Sequence, residues 1–238
     1  MKVDFYLRFR TKFGQKLSII GNFSNAGEEE MLPMQFFSDD FWHVSIEVDT
    51  KQIPALHYRY VFTNEYAEVV TEAERHRNII LQKVPQAQVV VMDTWNDAGF
   101  IENAFYTAPF KEVLLPKVKA LKTKKASSHT HIFKVKAPLL QQAEVVCLLG
   151  STPALSDWNT AAPVKMEKVG DWWMAQVDLS EVEVPVAYKY GIYNIKDETF
   201  VTFEGGDNRL LQASKGSLHV LHDGFVQLPG NVWRGAGV

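Results

Sequence analysis

The stretch AEVVCLLGSTPALSDW, residues 143–158, contains a short apolar run that ends at a glycine and a polar turn that follows it. Runs of about five to eight residues rich in β-branched and aromatic side chains, bounded by Gly, Pro, Asp or Asn, are typical of β-strands. The turn contains Trp158, whose indole would expose on the order of 150–250 Å² of mostly apolar surface to water. We therefore expect this side chain either to fold back under the domain or to contact a ligand.

Further runs with the same character follow one another along the whole chain. They are KLSIIGNF, FWHVSIEV, LHYRYVFT, AQVVVMD, WWMAQVDL, VAYKYGIY, ETFVTFE and SLHVLHD. Long helical periodicity is missing, and many short strands at this spacing predict an all-β protein built from antiparallel sandwiches rather than a nucleotide-binding α/β domain.

The order of these runs repeats once, with an offset of about 130 residues. The matching landmarks are Gly21 with Gly150, Trp42 with Trp173, Tyr58 with Tyr188, Arg77 with Arg209, and Asp93 with Asp223. Two similar domains of about 100 residues each explain this repeat. The predicted boundaries are a first domain at 1–98, a linker at 99–128 whose first half packs along a domain, and a second domain at 129–228.

Composition limits the possible partners and the compartment. The net charge of −3 provides no general attraction to nucleic acid or to an anionic membrane. The first ten residues lack a secretory signal pattern, and no stretch approaches the roughly 18 apolar residues of a membrane span. Cys147 is the single cysteine, and we expect its thiol to be buried and inert. We therefore expect a cytoplasmic protein that binds neither nucleic acid nor membrane.

Two further features of the chain are expected to carry no site. Five lysines between Lys117 and Lys125 are typical of a solvated linker. His129 and His131 point the same way from a strand, but a third metal ligand is missing, so neither a metal nor a cofactor is predicted.

Taken in order, the segments LLGSTPALSDW, DWWMAQVDL, VAYKYGIY and FVTFEGGDNR of the second copy resemble the starch-binding domain, carbohydrate-binding module family 20. That family has a GS…LGDW turn, a W.V.V.L strand, an EYKF strand and a WE…NR segment. The resemblance implies two immunoglobulin-like antiparallel β-sandwich domains in tandem. It also implies a first glucan site at Trp158, Lys189 and Phe203. Beside them would lie Glu204, Asn208 and Arg209.

The chemistry of these side chains fits a sugar ring, whose C–H face packs on an aromatic plane and whose hydroxyls need donors and acceptors. Phe203 stands where the family has tryptophan, so we expect a weaker site. Alternatives remain for the other residues. Lys189 lies on the opposite strand face from its two tyrosine neighbours and could be merely solvated, and Glu204 and Arg209 could pair with each other. Trp42 and Trp173 follow the strand alternation and are predicted core residues.

The first copy retains the scaffold but lacks this first site, because its turn has no tryptophan and Arg59 and Thr71 stand at the other two positions. The family's second site is implied instead, at Phe13 with Gly14 and at Phe36 or Phe37. These last two could equally be core residues that flank a turn. In the second copy Gln142 replaces the aromatic residue of the second site.

The tandem arrangement looks like the front of a cytoplasmic 4-α-glucanotransferase of the disproportionating-enzyme type (amylomaltase, glycoside hydrolase family 77), with 229–238 leading into an absent catalytic domain. The acidic residues at 28–30 and 39–40 are expected to be solvated turns, so no catalytic residue is predicted. The resemblance therefore implies a non-catalytic region that binds α-1,4-glucans such as glycogen, starch and maltooligosaccharides, and that adjoins the enzyme's own catalytic domain. The rival hypotheses are a protein–protein or dimerisation scaffold and a stand-alone hydrolase.

Overall fold

The structure is a computed structural model, and it describes residues 1–24, 27–74, 77–82, 84–97, 101–107, 128–137, 140–211 and 216–225. The chain divides into two compact units. The first unit consists of Met1–Phe105 with Gly216–His222, and the second of Tyr106–Lys215 with Asp223–Val238. The lysine-rich run 117–125 and the predicted lead at 229–238 lie outside the described residues.

The first unit is built from short strands, as the spacing predicts. They are β1 Lys2–Arg8, β2 Lys16–Gly21, β3 Glu30–Pro33, β4 Gln35–Ser38, β5 Phe41–Glu47, β6 Ala55–Thr63, β7 Val69–Thr71, β8 Arg77–Ile80 and β9 Gln88–Thr94. A 3₁₀ helix, Ile101–Tyr106, follows in the chain. One sheet has the order β4, β5, β1, β9, and the other has the order β3, β2, β6, β7, with β8 also paired to β6.

The last strand of the chain, β18 at Ser217–Gly224, pairs in parallel with β9 over Ser217–His222. The predicted second domain, 129–228, includes this run, and its boundaries stay a prediction, although residues 216–222 group with the first compact unit. The physical reason is this ladder of backbone hydrogen bonds, which a pattern of apolar residues does not encode. β1 also pairs with β9 in parallel.

The second unit repeats the same architecture. Its strands are β10 His131–Lys136, β11 Glu144–Gly150, β12 Val164–Lys165, β13 Glu167–Val169, β14 Trp172–Val177, β15 Val186–Asn194, β16 Thr199–Phe203 and β17 Arg209–Leu211. One sheet contains β13, β14 and β10, and the other has the order β12, β11, β15, β16, with β17 also paired to β15. The all-β sandwich fold predicted from the strand runs is therefore confirmed.

The predicted core residues lie in the interior of their units. Trp42 on β5 and Trp173 on β14 are both buried, as their strand alternation predicts. Every residue of β11 is buried, and burial raises the pKa of the Cys147 thiol to about 12. A buried thiol of this kind is unreactive, which agrees with the expectation for Cys147.

Two other kinds of site are absent from the part of the chain that the structure describes. Within the described ranges, no helix combines the length and apolar character needed to cross a bilayer. The same part of the chain contains no group of three or more His, Cys, Asp or Glu side chains placed to hold a metal ion.

Candidate functional site

The turn that carries Trp158 has an unusual backbone. It is a 3₁₀ turn, Pro153–Trp158, in which φ is +64° at Ser156, +45° at Asp157 and +60° at Trp158. Positive φ brings the Cβ of an L-residue against its own backbone at a cost of about 1–2 kcal/mol per residue. Such a conformation persists only where the surrounding structure fixes it. The indole is therefore presented in one direction by a turn that the protein holds under strain.

Backbone hydrogen bonds fix this turn. The amides of Leu155 and Asp157 both donate to the carbonyl of Thr152, at 2.8 and 3.0 Å, and the amide of Asn159 donates to Ser156 O at 2.7 Å. The turn thus closes on itself before the chain reaches β12.

A buried leucine anchors the turn to the sheet. Leu155 is fully buried and lies over Gly150, where an added Cβ would be 2.6 Å from Leu155 Cδ1 and 2.6 Å from Ala187 O. Only glycine fits at 150, which explains why this residue is one of the landmarks of the repeat. Ser151 N also donates to Ala187 O at 2.9 Å. The platform under Trp158 is therefore part of the rigid sheet.

Trp158 and Phe203 form an aromatic pair. Their ring centroids are 6.3 Å apart and their planes meet at 70°, and both side chains are half-buried. Phe203 in turn packs on Phe200, with centroids 4.6 Å apart. The structure therefore brings together the two aromatic residues that the sequence singled out, and it fixes the angle between their faces.

Lys189 lies on β15, on the face opposite the buried Tyr188 and Tyr190, as strand alternation predicts. Its Nζ donates to Gly206 O at 2.6 Å, so the side chain ties β15 to the turn after β16. Asn208 is exposed in the same turn. Phe200 and Gly206 were not predicted from the sequence to contact Phe203 and Lys189. The GG pair at 205–206 was the available signal for a close backbone approach.

Glu204 and Arg209 pair with each other, which is the alternative left open above. Arg209 Nε donates to Glu204 Oε1 and Nη2 to Oε2, both at 2.9 Å, and Nη1 donates to Asp223 Oδ1 at 3.0 Å. Burial of the guanidinium favours its neutral form, but these two carboxylates outweigh burial and raise the pKa of Arg209. Tyr190 N donates to Glu204 Oε1 at 3.1 Å and Tyr190 Oη to Asp223 Oδ2 at 3.0 Å.

The first unit contains the same cluster at the equivalent positions. Arg77 donates to Glu72 through Nε at 3.0 Å and through Nη2 at 2.8 Å, and Tyr58 and Tyr60 donate to Asp93 at 2.9 and 2.8 Å. Burial alone would raise the pKa of Asp93, but Arg77 and His222, whose Nδ1 lies 2.6 Å from Asp93 Oδ1, hold it below its usual value. Because both units share this cluster, it belongs to the scaffold.

The aromatic pair, in contrast, is specific to the second unit. Thr71 stands at the position of Phe203 and is exposed. Arg59 stands at the position of Lys189 and forms two hydrogen bonds with the carboxylate of Glu29, one of them, from Nη2 to Oε2, at 2.8 Å. An ion pair therefore occupies the surface that carries aromatic side chains in the second unit.

The residues proposed for a second-type site in the first unit are all on the surface. Phe13 is completely exposed beside Gly14, whose φ is +87°, and Phe36 and Phe37 on β4 are 58% and 63% exposed. Their exposure rules out the alternative that Phe36 and Phe37 are core residues. Within the described residues, no ring contact joins Phe13 to either of them. Phe36 instead contacts Trp42, with ring centroids 5.9 Å apart.

A protein-family model matches a segment that includes most of the second unit. Residues 129–220 match the family model CBM_20, the starch binding domain. This segment contains the Trp158 turn, Lys189 and Phe203, so the match falls on the residues that carry the resemblance.

A relative extends the similarity to the whole chain. The chain is 29% identical over 257 aligned residues to "4-alpha-glucanotransferase DPE2" of Oryza sativa subsp. japonica, and the match covers 98% of this chain and 26% of the relative. The chain thus spans about a quarter of the length of that relative.

Two solved structures are also similar to part of the chain. The family 20 module of the maltotetraose-forming amylase from Pseudomonas saccharophila STB07 is 22% identical, and the match covers 38% of this chain and 97% of that chain, with a TM-score of 0.33. Hormoconis resinae glucoamylase is 18% identical, and the match covers 45% of this chain and 19% of that chain, with a TM-score of 0.37.

Proposed function

We propose that this chain is a non-catalytic α-glucan-binding region that holds a cytoplasmic 4-α-glucanotransferase on starch, glycogen or maltodextrin. The observation that carries the proposal is the pair formed by Trp158, on a strained turn, and Phe203, on β16, within a segment that matches the starch binding domain. The similarity to "4-alpha-glucanotransferase DPE2" supports the further step that the enzyme's own catalytic domain is a partner of this region.

The proposed site binds a curved glucan through two ring faces. The planes of Trp158 and Phe203 meet at 70°, so successive glucose units of a bent α-1,4 chain can each pack a C–H face on one ring. Aromatic faces contribute most of the buried apolar area in such a site. Because both rings are held by the sheet, little side-chain entropy is lost when sugar binds.

Polar groups beside the rings set the orientation of the sugar. The Lys189 ammonium uses one N–H on Gly206 O and has two more to donate to hydroxyl groups. The amide of Asn208 is exposed and can both donate and accept. Glu204 and Arg209 contribute indirectly. Their ion pair fixes the segment between β16 and β17, and this segment carries Asn208.

The expected affinity is modest, and tethering depends on more than one contact. We expect a shallow site of this kind to have a binding free energy of about −5 to −6 kcal/mol, which corresponds to a dissociation constant of about 40–200 μM. A weaker contact at Phe13, Gly14, Phe36 and Phe37 of the first unit is part of the proposal. Two linked contacts on one branched polymer gain from effective concentration. The result would be a raised local concentration of glucan acceptor ends at the enzyme.

Affinity electrophoresis in a gel containing glycogen tests the proposal. Wild-type protein should be retarded, and the Trp158→Ala variant should lose most of this retardation. Trp172→Ala is the matched control, because it removes a second half-buried tryptophan from the same unit without touching the site. Equal retardation of the Trp158→Ala variant and the wild type would contradict the site assignment.

A further inference from the structure

A cleft opens in the first unit, away from the residues discussed so far. Its volume is about 620 Å³, within the range of about 300–1,000 Å³ that small-molecule sites occupy. The side chains that line it are Arg8, Phe9, Arg10, Asp40, Trp95 and Asp97. They come from the end of β1, the turn between β4 and β5, and the end of β9.

Backbone hydrogen bonds fix the walls of this cleft. Phe9 N donates to Asp40 O at 3.0 Å, and Trp95 N donates to Arg8 O at 3.3 Å. The three segments are therefore held in register by the neighbouring sheet, and the cleft does not need to form when a ligand arrives.

The floor of the cleft is aromatic. The half-buried ring of Phe9 lies with its centroid 5.0 Å from that of Trp95 and 5.4 Å from that of Phe62. Trp95 itself is 7% exposed. Phe9 thus offers a ring that is supported by two buried or half-buried aromatic neighbours, which is the kind of rigid apolar surface that the C–H face of a sugar requires.

The rim of the cleft supplies both hydrogen-bond donors and acceptors. Arg10 Nε donates to Asp40 Oδ1 at 2.6 Å. The Arg8 guanidinium lies 5.0 Å from the centre of the Phe41 ring, and Arg8 forms no ion pair with another described residue. Two guanidinium groups and two carboxylates balance in charge. Such a rim suits a neutral ligand with many hydroxyl groups better than an anion or a cation.

We infer that this cleft binds one or two pyranose units of a neutral carbohydrate, with Phe9 as the platform and Arg8, Asp40 and Asp97 as hydrogen-bonding partners. That the carbohydrate is an α-glucan rests on the proposed function. That it is a neutral sugar rests on the cleft itself. The second unit does not repeat the site, since the strand equivalence puts Ala137 at the position of Phe9 and Phe225 at that of Trp95. The residues that line the cleft do not include Phe13, Phe36 or Phe37.

Titration of the ¹⁵N-labelled chain with maltoheptaose to about 10 mM tests the inference, with the tryptophan indole N–H signals as the readout. The Trp95 signal is assigned by its loss in a Trp95→Phe variant. In the Trp158→Ala background, which removes the proposed site of the second unit, the Trp95 signal should still shift and saturate. Adding Arg8→Ala should weaken this titration by about fivefold or more.

Arg59→Ala is the matched control, because it removes the same charge from the other sheet of the same unit. It should leave the Trp95 titration unchanged. If the Trp158 signal of the wild type shifts with maltoheptaose and the Trp95 signal does not, the cleft is not a sugar site and the proposed function stands. If neither signal shifts, both proposals fail. A Trp95 shift with sodium phosphate alone, or one that persists unchanged in the Arg8→Ala variant, also overturns the inference.

Discussion

Replacing Arg209 with methionine should destabilise the second unit while leaving the aromatic pair in place. The guanidinium makes three hydrogen bonds to carboxylates, at 2.9, 2.9 and 3.0 Å, and a fourth, at 2.8 Å, to Gly224 O. Without it, the carboxyl group of Glu204, which is 3% exposed, loses its ion-pair partner in the interior. Removal of one partner from a buried ion pair costs about 3–5 kcal/mol. Because the Arg209 side chain is 14% exposed, we expect about 3 kcal/mol.

Urea unfolding followed by near-ultraviolet circular dichroism measures this effect. With a slope of about 1.5 kcal/mol per molar urea, typical of a small domain, the midpoint of the second unit should fall by about 2 M. The double variant Glu204→Gln with Arg209→Met, which removes both charges, should recover part of the loss. Lys189→Met is the control, since it removes a half-buried cation from the neighbouring strand and should shift the midpoint by less than about 0.5 M.

Maltoheptaose binding of the Arg209→Met variant, measured well below its unfolding midpoint, separates the two roles that the sequence left open for this residue. We expect the affinity to change by less than about threefold. A variant that unfolds like the wild type and no longer binds would show that Arg209 contacts the sugar and that our account of the cluster is wrong.

Three further changes follow from the same structure. Ser156→Gly should raise the midpoint of thermal unfolding by about 2–6 °C, because glycine tolerates the φ of +64° there; an unchanged midpoint would refute the strain. Asp93 has a folded-state pKa below its ordinary value of 3.8, so its charged form stabilises the first unit above about pH 4, and this stability is lost as the pH falls further. In urea unfolding between about pH 5 and 3, an Asp93→Asn variant should therefore lose less stability than the wild type, and parallel losses would contradict this linkage. Phe203→Trp should bind maltoheptaose about three- to tenfold more tightly by calorimetry, because the larger ring adds stacking area and an N–H donor, and unchanged binding would place Phe203 outside the site.

Much of the fold could be predicted because short strands leave a local pattern. The alternation in KLSIIG and WWMAQV predicts which face is buried, and the repeat of about 130 residues predicts two equivalent units. The parallel pairing of β18 with β9 could not be predicted in the same way. It depends on which edge of a sheet is available to the last strand, and that is a property of the assembled sheets.

The proximity of Trp158 and Phe203 could be predicted from the sequence, but the geometry of the candidate site could not. Trp158 and Phe203 could be paired before the structure was known, because they occupy positions of a known motif. The left-handed backbone at Ser156 could not be predicted from the sequence, because glycine is the usual signal of positive φ and position 156 is a serine. The sequence also left the role of Arg209 open, because it does not show whether a neighbouring carboxylate is buried beside the guanidinium.

The central claim is that Trp158 binds α-glucan, and a titration with maltoheptaose followed by tryptophan fluorescence tests it most directly. The wild type should show a saturable change with a dissociation constant of about 40–200 μM, and the Trp158→Ala variant should lack the change in this concentration range. The absence of any change in the wild type at millimolar ligand would contradict the account and favour a pair of sandwiches that serves as a protein scaffold. Equal titrations of the wild type and the Trp158→Ala variant would contradict the assignment of the site.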